Sequence, residues 1–134
     1  MKNRSLLAAV LLTLAAPSFA CSDLRSTDFN PRSAELTLNT IELLDQAIDI
    51  ARKYPGIHVE VAGHTDNCPG QDHMALSQRR ADAVAVYLRK NGFPENQIIA
   101  VKGYGDTRPL LNTPKDFPAC RNRTNNRVEL NVAN

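Results

Sequence analysis

Residues 57–66 read Ile57-His58-Val59-Glu60-Val61-Ala62-Gly63-His64-Thr65-Asp66, and their pattern decides how the chain is laid out. Ile57, Val59 and Val61 alternate with His58, Glu60 and Ala62, the period of two that marks a strand with one buried face. The alternation stops at Gly63, where Gly63-His64-Thr65-Asp66-Asn67-Cys68-Pro69-Gly70 turns the chain. A His, an Asp and a Cys fall within residues 64–68 of that turn. They could be metal ligands, catalytic groups or the grip of a binding pocket.

Elements of matching kind flank the strand. Ile41, Leu44, Ile48 and Ala51 recur at helical spacing, which predicts an amphipathic helix over Ala34–Tyr54 ended by Pro55-Gly56. A second helix runs from an N-cap at Asp72 to Lys90 and stops at Asn91-Gly92. Its stripe is Leu76, Arg80, Ala83, Val84, Tyr87 and Leu88. Asp23–Asn30 is a short first segment, a strand at best. Ile98–Val101 reads as another strand, followed by a turn at Gly103-Tyr104-Gly105. Leu110–Arg123 carries two prolines, Pro114 and Pro118, and reads as a long loop. Val128, Leu130 and Val132 close the domain with a last alternating strand. The order predicts a two-layer α/β domain with helices on one face of a sheet.

The N-terminus reads as a leader. Lys2 and Arg4 precede an apolar run, Leu6–Ala16, and Pro17-Ser18-Phe19-Ala20 offers a small-residue cleavage site. The run is short of the roughly 20 residues a bilayer-spanning helix needs, so residues 1–20 are expected to be a signal peptide of an exported protein. The chain has 16 basic and 14 acidic residues; Lys2 and Arg4 leave with the leader, making the mature chain formally neutral. Its charge gives no argument for nucleic acid. The remaining stretch suits one domain with one core. Three cysteines in an exported chain suggest one disulfide and one left over. Cys21 directly follows the cleavage site, where a lipoprotein carries its acylated cysteine, although Ser18-Phe19-Ala20 fits ordinary cleavage as well. Residues 21–27 are expected to tether the domain.

One position breaks the pattern. Arg80 lies one turn from both Leu76 and Val84, on the face that should be buried. An arginine there is costly unless its charge is matched, and Asp66 lies on the loop feeding this helix. A plain salt bridge between them and a shared ligand site both fit the spacing.

Several stretches together resemble one family. They are Phe29-Asn30-Pro31-Arg32-Ser33-Ala34-Glu35-Leu36, Gly63-His64-Thr65-Asp66, Leu76-Ser77-Gln78-Arg79-Arg80-Ala81, Val84 with Tyr87-Leu88, Gly103-Tyr104-Gly105 with Pro109, and Asn125-Asn126-Arg127-Val128-Glu129. In this order the chain resembles the OmpA C-terminal-like domain over about residues 28–130. The resemblance implies a βαβαββ sandwich over residues 28–134, with helices on one face of a mixed sheet. It also implies a non-catalytic module of the Gram-negative envelope that binds the diaminopimelate of the peptidoglycan stem peptide and needs no cofactor. The family's ligand-holding Asp and second Arg correspond to Asp66 and Arg80. Thr65, His73, Asn125 and Arg127 complete the candidate pocket. The free end of diaminopimelate is a zwitterion, to which a carboxylate beside a guanidinium is complementary.

The chain departs from the family pattern in three places. The loop from Asp66 to Leu76 is one residue shorter, His73 stands where Asn is usual, and Asn126 replaces the first arginine of the closing motif. Arg121 and Arg123 are the cations that could compensate. The resemblance puts the loops of Cys68 and Cys120 around the pocket and so favours a disulfide between them. A zinc set of His64, Cys68, His73 and Cys120 has irregular spacing. A nucleophile at Ser77 or Cys68 lacks the local frame such a residue needs. An exported hydrolase or metal-dependent enzyme acting on the wall remains the alternative, and His64 is expected to shape the turn.

Overall fold

A computed structural model describes residues 27–112, 120 and 122–133. The expected signal peptide, Cys21 and nearly all of the tether lie outside them. The element order is β1 (Thr27–Asp28), α1 (Leu38–Lys53), β2 (His58–Gly63), α2 (His73–Lys90), β3 (Ile98–Gly103) and β4 (Arg127–Ala133), with a 3₁₀ turn at Glu95–Gln97. The strands form one mixed sheet in the order β1-β4-β2-β3. The two-layer reading of the sequence holds, with α1 and α2 on one face.

The alternating stretch of β2 is central in the sheet. Val61 of β2 stands opposite Val101 of the parallel strand β3 and opposite Leu130 of the antiparallel strand β4. A parallel pair cannot be joined by a tight turn, and α2 supplies the crossover between β2 and β3. Val59, Val61, Val128 and Leu130 point toward the helices and meet Leu44, Ile48, Val84 and Leu88 in the core.

Local chemistry moves two expected boundaries. Helix α1 begins at Leu38 rather than Ala34 because Thr37 caps it, its hydroxyl accepting the Thr40 N–H at 3.2 Å. Strand β1 is only Thr27–Asp28 among the described residues. The Phe29 amide still bonds the Asn126 carbonyl at 3.0 Å, and Arg32, at φ 62°, then bends the chain away. Helix α2 starts as expected, with Asp72 Oδ1 accepting the Ala75 N–H at 3.0 Å. It ends at Asn91 with Arg89 and Lys90 in the last turn, where cations complement the helix dipole.

The buried face of α2 is rotated from the predicted stripe. Ala83 and Tyr87 are half-buried, whereas Ser77, Ala81 and Ala85 are fully buried. The cause is how closely this helix approaches the sheet. A Cβ on Gly63 would lie 2.0 Å from the Ser77 carbonyl oxygen, and one on Gly103 would lie 2.4 Å from the Gln78 nitrogen. Only glycine permits that approach. Hydrogen bonds finish the seam: Ser77 Oγ accepts the Gly105 N–H at 2.8 Å and Gln78 Oε1 accepts the Gly103 N–H at 2.9 Å. The start of α2 is thereby fixed to the C-terminal ends of β2 and β3, where the site-bearing loops emerge.

Candidate ligand-binding site

Strand-like pairing continues past the end of β2. The His64 N–H donates to the Arg127 carbonyl at 2.8 Å, the Thr65 N–H to Gly105 at 2.9 Å, and the Tyr104 N–H to Gly63 at 2.9 Å. His64, Thr65 and Asp66 are consequently buried although they belong to a loop. Asp66 is held through both backbone and carboxylate. Its N–H donates to Asn126 Oδ1 at 3.2 Å, its Oδ1 accepts from Asn125 Nδ2 at 3.2 Å, and its Oδ2 accepts the Asn122 N–H at 3.2 Å. Donors fixed on a carboxylate hold its orientation.

Asn125 fastens the opposite wall. Its Oδ1 accepts the Leu110 and Leu111 amides at 2.9 and 3.2 Å, and its Nδ2 donates to the Leu111 carbonyl at 2.9 Å. Between these walls lies a cleft of about 270 Å³ lined by Thr65, Asp66, Asn67, Asp106, Pro109, Leu111, Asn112 and Asn125. Asp66, Thr65 and Asn125 are the sequence-derived candidates that reach it. Asp106 was not a candidate, and it adds a second carboxylate to the lining.

Arg80 sits behind this cleft, fully buried. Its Nε donates to the Ser33 carbonyl at 2.7 Å and its Nη2 to the Asn30 carbonyl at 3.0 Å. Its Nη1 donates to both the His64 carbonyl and Asn126 Oδ1 at 2.9 Å, and the guanidinium lies over the Phe29 ring, 5.2 Å from its centroid. Burial, with some help from the Arg79 charge, lowers its pKa to about 10, so the group stays protonated at neutral pH. The direct Asp66–Arg80 ion pair that the spacing allowed is not formed. Neutral acceptors surround the cation instead, and Asn126 links it to Asp66.

The remaining candidates divide by location. Thr65 Oγ1 meets His73 Nδ1 at 3.0 Å, and His73 Nε2 lies 3.9 Å from Asp106, so His73 supports the mouth without lining the cleft. Arg127 belongs to the helix-free face of the sheet. Its Nε donates to Glu129 Oε1 at 2.6 Å and its Nη2 to the Arg108 carbonyl at 3.1 Å. His64 shares that face, stacked on Tyr104 at 5.7 Å between centroids, with Nε2 3.5 Å from Glu129 Oε2. At that distance the contact is too poorly aligned for a good hydrogen bond, and among the described residues neither ring nitrogen has a better partner. His64, followed by Arg127 and against the effect of burial, holds the Glu129 pKa down to about 2. Arg123 does not replace the lost arginine at the cleft; it lies 3.7 Å from Asp28. Arg121 is outside the described residues.

Cys68 and Cys120 form a disulfide, with 4.7 Å between their Cα atoms. This removes both thiolates from the irregular zinc set. Among the described residues, no group of three or more His, Cys, Asp and Glu side chains could hold a metal ion. Ser77 is absorbed into the helix–sheet seam, donating to the Met74 carbonyl at 3.0 Å. Asn126 does more than mark the arginine missing from the closing motif. It counted as an arginine lost from the site, yet its amide joins the two residues that mattered most.

Comparison with known proteins agrees with this architecture. The model of the OmpA family matches residues 28–123, and the chain belongs to that family. It is similar to outer membrane porin F of Pseudomonas fluorescens, 44% identical over 85 residues, which cover 63% of this chain and 25% of the porin. The chain thus spans only about a quarter of that relative's length. Among solved structures, the peptidoglycan-associated lipoprotein of Burkholderia pseudomallei superposes with a TM-score of 0.70 at 25% identity, covering 81% of this chain and 90% of that one. The C-terminal domain of Helicobacter pylori MotB gives a TM-score of 0.70 at 30% identity, covering 82% and 84%.

Proposed function

We propose that the chain is a non-catalytic peptidoglycan-binding module of the cell envelope, and that the cleft beside Asp66 takes the free end of diaminopimelate. One observation carries this reading: a buried carboxylate is fixed by two loops at the wall of a cleft. A carboxylate so held meets an ammonium without first having to be ordered, which reduces the cost of binding. Thr65 and Asn125 share the cleft wall, His73 orients Thr65, and Arg127 braces the backbone behind it. Arg80 supports the site from within. For its guanidinium to grip a ligand carboxylate directly, it would have to exchange the Ser33 or Asn30 carbonyl for the ligand.

In this reading residues 1–20 direct export, and residues 21–27 connect the domain to the outer membrane or to an envelope complex. With Cys21 acylated, lipid would hold one end of the protein and the wall the other. Without acylation, the protein would be a soluble, wall-associated accessory. The names of a peptidoglycan-associated lipoprotein and a porin among its relatives support an envelope role. The test is sedimentation with purified sacculi. The protein is expected to pellet with them and to release no soluble wall fragments. Release of fragments would favour the hydrolase alternative, and failure to pellet would refute binding.

A further inference from the structure

The cleft is assembled from two segments far apart in the chain. One is the loop between β2 and α2, and the other lies between β3 and β4. The Cys68–Cys120 disulfide joins them across a sequence separation of 52 residues. On one side, the Cys68 N–H donates to the carbonyl of Asp66 at 2.9 Å. On the other, Cys120 is two residues from Asn122, whose N–H donates to the Asp66 carboxylate at 3.2 Å. Asn126 registers the same segment, its Nδ2 donating to the Asn122 carbonyl at 3.1 Å and reaching the Cys120 carbonyl at 3.5 Å. The disulfide therefore sets where the donors to Asp66 stand. The sheet does not depend on it, because β2, β3 and β4 are paired along their lengths and packed on α1 and α2.

We propose that the Cys68–Cys120 disulfide is a redox switch on the binding cleft, active when oxidised and disabled when reduced. Its effect on peptidoglycan rests on the function proposed above, whereas its effect on the cleft does not. Cys68 is 2% exposed and Cys120 is half-buried, so a dithiol reaches the Cys120 sulfur first. Thiolate attack there forms a mixed disulfide and expels Cys68 as a thiolate, which takes up a proton. The second thiol of the reagent then displaces Cys120 and closes the reagent's own disulfide. Two electrons and two protons pass from the dithiol to the protein, leaving two cysteine thiols. The domain stays folded, but the segment carrying Asn122, Asn125 and Asn126 is no longer pinned to the Asp66 loop. Binding is thereby confined to an oxidising compartment.

The test compares the oxidised protein with the same protein reduced by dithiothreitol, using hydrogen–deuterium exchange and sedimentation with sacculi. Reduction is expected to speed exchange at the Leu110, Leu111 and Asn122 amides roughly tenfold or more, while β2 and β4 stay protected. Sacculus affinity is expected to fall by about tenfold or more, and reoxidation to restore both readings. The Cys68→Ser/Cys120→Ser variant should match the reduced protein. Unchanged exchange and binding after verified reduction would overturn the proposal. Loss of protection throughout β2 and β4 would overturn it too, making the disulfide a fold staple. If neither form binds sacculi but exchange still responds, the peptidoglycan reading fails and the switch on the cleft stands.

Discussion

Arg80 and Asp66 converge on a single atom, Asn126 Oδ1, which accepts from Arg80 Nη1 at 2.9 Å and from the Asp66 N–H at 3.2 Å. The acid and the base that sequence reasoning wanted face to face are joined by a neutral amide. Arg80 shapes the site through the backbone it holds, and Asp66 is the charge presented to the cleft wall.

The first prediction concerns that joint. Asn126→Ala leaves a buried guanidinium nitrogen and a buried amide short of an acceptor, each a cost of about 1–3 kcal/mol. Chemical denaturation should show a loss of about 2–4 kcal/mol with an unchanged m-value. Stability within about 0.5 kcal/mol of the parent would show that the joint contributes nothing.

Arg80 gives a sharper contrast. Arg80→Lys keeps the charge but cannot serve acceptors arranged around a planar fork, so both Lys and Met should destabilise by about 3–5 kcal/mol. If Arg80 served only as a charge, Lys would be tolerated. Thermal unfolding of the two variants separates these outcomes.

Gly63→Ala tests the close approach of α2 to the sheet. The new methyl would meet the Ser77 backbone rather than a movable side chain. The helix must shift, and the expected cost is about 3 kcal/mol, at the upper end for overpacking. A tolerated alanine would mean that α2 is not pinned at this point.

Acid should expose the role of Glu129. Its folded pKa of about 2 lies below the unfolded value of 4.5, so its contribution is present above pH 4.5 and fades as pH falls toward 2. The carboxylate is partly solvated, which discounts the contribution to about 1–2 kcal/mol. Glu129→Gln should therefore lose that amount at pH 7, and the gap should close near pH 2–3. A gap that does not change with pH would assign the effect to shape rather than charge.

Much of this architecture was legible in the sequence, because β2, α2 and β4 carry strong periodicity and clear caps. Asp72 and Asn91-Gly92 bound α2 where expected. The α1 start was missed because Thr37 stops the helix while Leu36 still packs on the core. The rotation of α2 was missed because periodicity counts apolar residues, whereas close packing on Gly63 and Gly103 selects small ones. Asp66 and Arg80 stood out in the sequence and are both buried, but their relationship was not legible, since backbone carbonyls as partners leave no trace in side-chain spacing. Asp106 and Asn126 had no sequence signal beyond being polar in a loop.

The central claim is that Asp66 carries ligand binding. Its most direct test is calorimetric titration of the oxidised protein with a soluble muropeptide containing diaminopimelate, for the parent and for Asp66→Asn. Asparagine keeps an acceptor for the Asn125 amide but not for the Asn122 N–H, so the sheet should survive while the charge facing the ammonium is lost. Affinity is expected to fall about tenfold or more, equivalent to about 1.4 kcal/mol or more, with a loss of stability no larger than the about 1–3 kcal/mol of one unpaired donor. Equal affinity in the two proteins would contradict it.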